Sequence, residues 1–101
     1  MKFMVNWEIH PHVRAEIQEV WAAMTPEERA DTGDNVRLIG RWHNSAEYTG
    51  VAILETDDPM ALFAYLQPWS LMMDFDVAPV LDDEESAALS RAAVAAMGDD
   101  D

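Results

Sequence analysis

Apolar residues recur along this chain first at every second position and then at every third or fourth, and the order in which these periods alternate leaves few folds open. Phe3, Val5, Trp7 and Ile9 alternate with Lys2, Met4, Asn6 and Glu8, which predicts a half-buried strand ending at His10-Pro11. Val13, Ile17, Val20, Trp21 and Met24 then follow at helical spacing, with Pro11 in the first turn. Thr25-Pro26-Glu27-Glu28 has the form of a capping box and predicts a short helical turn that ends at Thr32-Gly33-Asp34-Asn35. A second strand is expected from Val36 to Asn44. A third, from Tyr48 to Thr56, is joined to it as a hairpin. Asp57-Asp58-Pro59 opens a helix carrying Met60, Leu62, Phe63, Ala64 and Leu66, and Pro68 stops it. A fourth strand places Phe75, Val77 and Pro79 on one side and Asp74, Asp76, Ala78 and Val80 on the other. The last helix begins near Asp83, has Leu89, Ala92, Ala93, Ala96 and Met97 on one stripe, and reaches a candidate C-cap at Gly98.

Strand, helix, strand, strand, helix, strand is the split βαβ arrangement, so the expected class is α+β, a ferredoxin-like sheet with an appended C-terminal helix. The expected division is 1–81 for the sheet and its helices and 82–101 for the acidic C-terminal helix and tail. The spatial strand order should be 4-1-3-2, with helices on one face only. At 101 residues the chain is one domain, too small for a deep two-substrate cavity unless it pairs with a second copy. A homodimer, closed by two sheets into a dimeric α+β barrel, is therefore expected.

Charge narrows the partners. Six Lys and Arg stand against twenty Asp and Glu, for a net charge of −14, which argues against nucleic acid and against anionic membranes. The third strand, Val51 to Glu55, also lacks the basic and aromatic surface of an RNA-binding sheet. No cysteine is present, and no run approaches the roughly 18 apolar residues of a membrane span. A cytoplasmic location is the expectation.

The second strand carries the residues of greatest interest. Strict alternation puts Arg37, Ile39, Arg41 and His43 on one face and Val36, Leu38, Gly40 and Trp42 on the other. The helices are expected over Phe3, Val5, Trp7, Leu38, Trp42, Phe75 and Val77. The opposite face then collects Met4, Asn6, Glu8, Ile39, Arg41, His43, Asp74 and Asp76. Two readings follow. In one, Arg37 and Arg41 form half of a dimer seam and meet the partner's Asp74 and the partner's Asp76. In the other, Arg41 and His43 border a ligand pocket walled by Trp42, Trp7 and Trp21. Arg41 there binds a carboxylate, enolate or phenolate oxygen, and His43, the candidate catalytic group, exchanges a proton.

His10-Pro11-His12 has a form that supplies two metal ligands, but no third is indicated. Asp82 to Glu85 lacks the spaced ligands and central glycine of a calcium loop and suits the start of a helix. No metal and no cofactor are expected.

Met1-Lys2-Phe3-Met4-Val5, Gly40-Arg41-Trp42-His43, Asp57-Asp58-Pro59, Trp69-Ser70, and Asp74-Phe75-Asp76-Val77 running into Pro79-Val80-Leu81-Asp82-Asp83-Glu84-Glu85 resemble, in combination, the small bacterial family catalogued as domain of unknown function 3303. The resemblance covers about nine-tenths of the chain and implies no particular reaction. More distantly the chain resembles the dimeric α+β barrel superfamily, whose members include cofactor-free monooxygenases, isomerases and haem-degrading proteins. His43 lies on a strand and His10 and His12 flank Pro11, so no helix-borne histidine stands where a haem ligand would be needed. The resulting expectation is a small homodimer that binds a small organic molecule. A cofactor-free isomerase or monooxygenase-like enzyme is the alternative, as is a structural or regulatory dimer without ligand.

Overall fold

Phe3, Val5 and Trp7 project from one face of β1 (Lys2–Ile9), and the remaining elements are arranged to cover them. The computed structural model describes residues 1–98. After β1 a single 3-10 turn, Pro11–Val13, leads into α1 (Arg14–Ala23) and then α2 (Pro26–Ala30). Next come β2 (Arg37–Asn44), β3 (Thr49–Glu55), α3 (Pro59–Leu66), a 3-10 turn at Trp69–Leu71, β4 (Met73–Val80) and α4 (Asp83–Gly98). The sheet runs β2-β3-β1-β4 with every neighbouring pair antiparallel, so the ferredoxin-like order expected from the periodicities is the observed one.

Local chemistry starts and stops the helices. Thr25 and Glu28 make the expected capping box at α2, with the Glu28 N–H donating to Thr25 Oγ1 at 3.1 Å and the Thr25 N–H to Glu28 Oε1 at 3.0 Å. Asp58 caps α3 by accepting from the Met60 N–H at 3.1 Å, with Pro59 at the first helical position. Asp82 and Glu85 reciprocate in the same way at the start of α4. Gly98 lies within α4 and does not take the left-handed backbone of a C-cap. Asp99 to Asp101, the end of the expected acidic tail, lie outside the described residues.

The core forms where α3 meets the sheet: Leu62 and Leu66 pack on Val5, Ala52, Leu54 and Val36, with Phe3, Trp7, Leu38 and Val77 around them. Thr32 and Thr56 are the buried polar residues. Each donates its hydroxyl to a carbonyl, Val36 O at 2.8 Å and Asn35 O at 2.7 Å, fastening the loop before β2 to the end of β3.

The expected face assignment of β2 fails in its second half. Leu38 pairs with Leu54, but the next partner, Ile53, is opposite Gly40 rather than Ile39. Ile39 is the extra residue of a β-bulge, and from there the alternation is inverted. Arg41 opposes Ala52 and His43 opposes Gly50, whose β1 partners are Val5 and Trp7, so Arg41 and His43 lie on the helix-covered face. Trp42 opposes Val51 and moves to the bare face, where it is 61% exposed. Arg37, before the bulge, stays on the bare face and pairs with Glu55 of its own chain at 2.9 Å. The expected seam of Arg37, Arg41, Asp74 and Asp76 therefore does not share one surface: Arg41 is on the far side of the sheet from the other three.

Two strand glycines serve as beds for tryptophans. A Cβ at Gly50 would overlap the Trp7 ring, and one at Gly40 would overlap the Trp42 ring. The rings differ in freedom, since Trp7 is half-buried while Trp42 can swing into solvent. Gly50→Ala should cost about 1–3 kcal/mol by forcing Trp7 off its site. Gly40→Ala should cost clearly less. Urea midpoints at unchanged slope measure both, and equal losses would show that the Trp7 contact is not the cause.

Candidate functional site

The half of the helix-covered face beyond the core holds a cavity of about 150 Å³ between the sheet, α1, α3 and the Trp69–Leu71 turn. Its floor is Val5, Trp7, Ala52 and Phe75; Ile17 and Trp21 of α1 and Tyr65 of α3 close it from above. Arg41 and His43 stand on its β2 side. The size matches a single small ring rather than a drug-sized ligand, for which sites run from roughly 300 Å³ upwards.

Arg41 is held on three sides. One terminal nitrogen donates to the Arg29 carbonyl at 3.0 Å, the other donates to the Tyr65 hydroxyl at 3.0 Å, and the guanidinium carbon sits 5.0 Å from the Trp21 ring centroid. Arg29 approaches the same indole at 5.8 Å. No carboxylate among the described residues forms an ion pair with Arg41, although Lys2, Arg14 and Arg37 all have one. A half-buried guanidinium uses two of its five N–H groups here and keeps its charge uncompensated at the edge of an apolar cavity.

His43 is an exposed residue whose ring lies edge-on to Trp7 at 5.5 Å and tilted to Trp21 at 5.2 Å, so it is only partly desolvated. Burial against these rings, and then the positive charge of Arg41, hold its imidazole below the ordinary histidine pKa of 6.5. His43 also borders a second, open space: a groove of about 650 Å³ reaching the bare face, whose polar wall includes Asn6, Glu8, Asp74 and Asp76. The imidazole thus has one side to the half-open cavity and one to a wider groove edged by carboxylates.

Of the five residues expected to bind a ligand, the fold brings Arg41, His43, Trp7 and Trp21 to one cavity and sends Trp42 to the groove on the other face. Tyr65, Trp69 and Tyr48 line the same cavity; none is among the ligand residues expected from sequence, and Trp69 enters there only through the Trp69-Ser70 motif. Tyr65 follows Leu62 by three positions in α3, so the helical stripe held a usable signal for it. Tyr48 adopts φ +58°, uncommon for a bulky residue, at the end of the β2–β3 connection, with Arg14 stacked on its ring at 4.5 Å. His10 Nε2 donates to Asp74 Oδ1 at 3.0 Å and the ring stacks on His12, away from the cavity, and no group of three metal-ligating side chains occurs among the described residues.

Fold and site together define a small α+β protein with a tryptophan-lined cavity bordered by one arginine and one histidine. The family described as Domain of unknown function (DUF3303) matches residues 1–94, and the chain belongs to that family. No curated protein matches the chain at a significant level. Among the described residues no helix is long and apolar enough to cross a membrane.

The histidine shift has a measurable sign. Because the folded pKa lies below the unfolded one, the unfolded chain binds the proton first as pH falls. The His43 contribution to stability is therefore full above the ordinary value and is lost as pH drops through the folded value. Removing the neighbouring charge in Arg41→Met should raise the His43 pKa towards the ordinary one. An NMR titration of the His43 ring protons reads this directly, and an unchanged pKa would mean that the guanidinium does not act on the imidazole.

Proposed function

We propose that the protein binds a small planar organic anion, with its ring between Trp7, Trp21 and Phe75 and its carboxylate or enolate oxygen on Arg41. The observation that carries this reading is the half-buried guanidinium without a carboxylate, in a chain that has twenty Asp and Glu. Lys2, Arg14 and Arg37 are each paired with a carboxylate, whereas Arg29, which lies over the same Trp21 ring, has no ion pair among the described residues, so two guanidiniums without a carboxylate flank this indole. Leaving a cation unpaired beside apolar walls is costly, and an anion from outside relieves that cost with charge-assisted hydrogen bonds. The remaining Arg41 N–H groups are donors for such an anion. Benzoate is the simplest probe. It should bind and perturb the tryptophan fluorescence, and Arg41→Met should weaken binding by at least tenfold, the equivalent of about 1.4 kcal/mol. Equal binding by both proteins would refute the arginine's role.

The bare face of the sheet supports pairing of two copies. Met4, Val51, Ile53, Ala78 and Trp42 form an apolar centre, with Arg37 towards one end and Asp74 and Asp76 towards the other. A two-fold axis across the strands would lay the two apolar centres on each other, with the Arg37–Glu55 end of each copy against the Asp74 end of the other. We assign the homodimer contact to this face, with Trp42 at its centre. Trp42→Glu should then give a monomer in sedimentation velocity at concentrations where the parent chain is a dimer. A parent chain that is monomeric throughout the micromolar range would rule the assignment out.

A further inference from the structure

Anion binding accounts for Arg41 but not for the position of His43. The imidazole borders the half-open cavity on one side and, on the other, the wider groove that carries Asn6, Glu8, Asp74 and Asp76. Among the described residues neither ring nitrogen has a hydrogen-bond partner, in contrast to His10, which is engaged by Asp74 at 3.0 Å. A histidine with free nitrogens between a mostly apolar, half-open cavity and a more open groove is placed to take a proton from a bound molecule and exchange it with solvent. A base of this kind needs its neutral form near pH 7, and burial together with Arg41 favours that form.

The opposing half of a proton-transfer site is present as well. Arg41 and His43 are two residues apart on the same face of β2, about 6–7 Å along the strand. The Tyr65 hydroxyl accepts from Arg41 at 3.0 Å, which leaves its own O–H to donate, and Tyr65 lines the cavity. Arg41 and Tyr65 therefore offer two donors to one developing oxyanion, in surroundings where such donors act strongly. Base, donor pair and a space of about 150 Å³ between aromatic walls meet the geometric requirements for proton abstraction next to a carbonyl.

We propose that the cavity catalyses proton transfer at the carbon beside the carbonyl of a small aryl-substituted 2-oxo acid, with His43 as the base and Arg41 and Tyr65 holding the enolate oxygen. This rests on the anion-binding reading. In the step, the C3–H bond breaks and the proton goes to the free imidazole nitrogen. The C–H electron pair becomes the C2–C3 double bond, and the carbonyl pair moves onto oxygen, where Arg41 and Tyr65 donate to it. The imidazolium then returns a proton to C3 or to the oxygen, after exchange with solvent through the groove. The sum is keto–enol interconversion, with no oxidant, reductant or second substrate.

Phenylpyruvate in deuterium oxide tests this, with C3 deuteration followed by NMR and binding followed by calorimetry on the same samples. The parent chain should bind phenylpyruvate and accelerate deuteration over the buffer rate. His43→Gln and His43→Asn should each lose roughly 100-fold of that acceleration at saturating phenylpyruvate, with binding still detected by calorimetry. Having two variants with unchanged thermal midpoints guards against a folding defect. If the parent binds phenylpyruvate without accelerating exchange, or if exchange survives in both variants, the proton-transfer role falls and anion binding stands. If phenylpyruvate does not bind at all, both fall.

Discussion

One unpaired residue in β2 sets which way the rest of that strand faces, and the chemistry of the cavity depends on it. Without the bulge at Ile39, Trp42 would lie under the helices, and Arg41 and His43 would join the acidic residues of the bare face. With it, a guanidinium and an imidazole are carried into a space otherwise lined by indole, phenol and aliphatic groups. Bulges are a common means of re-aiming side chains, and this one sits on an edge strand, where the disrupted ladder is least costly.

Charge placement follows from that geometry. The chain is strongly acidic, yet none of its carboxylates among the described residues forms an ion pair with Arg41. The positive charge is instead spread over the Trp21 face, the Tyr65 oxygen and a carbonyl at α2, all neutral partners. Neutral partners fix the orientation of a cation without cancelling its field, so Arg41 is positioned and still electrostatically available. The same field acts on His43, and the pair is divided into a permanent cation and a neutral base.

Much of this was legible in the sequence. The alternation of Phe3, Val5 and Trp7, the Thr25–Glu28 box and Asp58-Pro59 each predict the element that is found, because each signal is local and agrees with the global packing. Strict alternation misses the bulge, although an isolated glycine such as Gly40 within a strand is one of its marks, and so reverses the faces of Arg41, Trp42 and His43. Trp21 lines the cavity from α1, and its helical phase does not depend on β2. Tyr65 is hard to read from sequence, because a phenol beside core leucines gives no sign of its hydroxyl's partner until the opposite strand is in register.

The appended helix has a different standing from the rest. None of its 16 residues is buried, and Leu89, Val94 and Met97 are all exposed, while the molecule reaches 61 Å along its longest axis. A lone helix of that length is near the limit of stability in water, since segments under about 12–15 residues are marginal even when rich in alanine. Its order then rests on the Asp82–Glu85 cap and its own backbone ladder, not on the core. In thermodynamic terms the single chain contains two units of unequal free energy. One is a sheet domain that opens only when Leu54 and Leu62 are exposed. The other is a terminal helix that melts on its own scale, so amide exchange in α4 reports a local equilibrium independent of global unfolding.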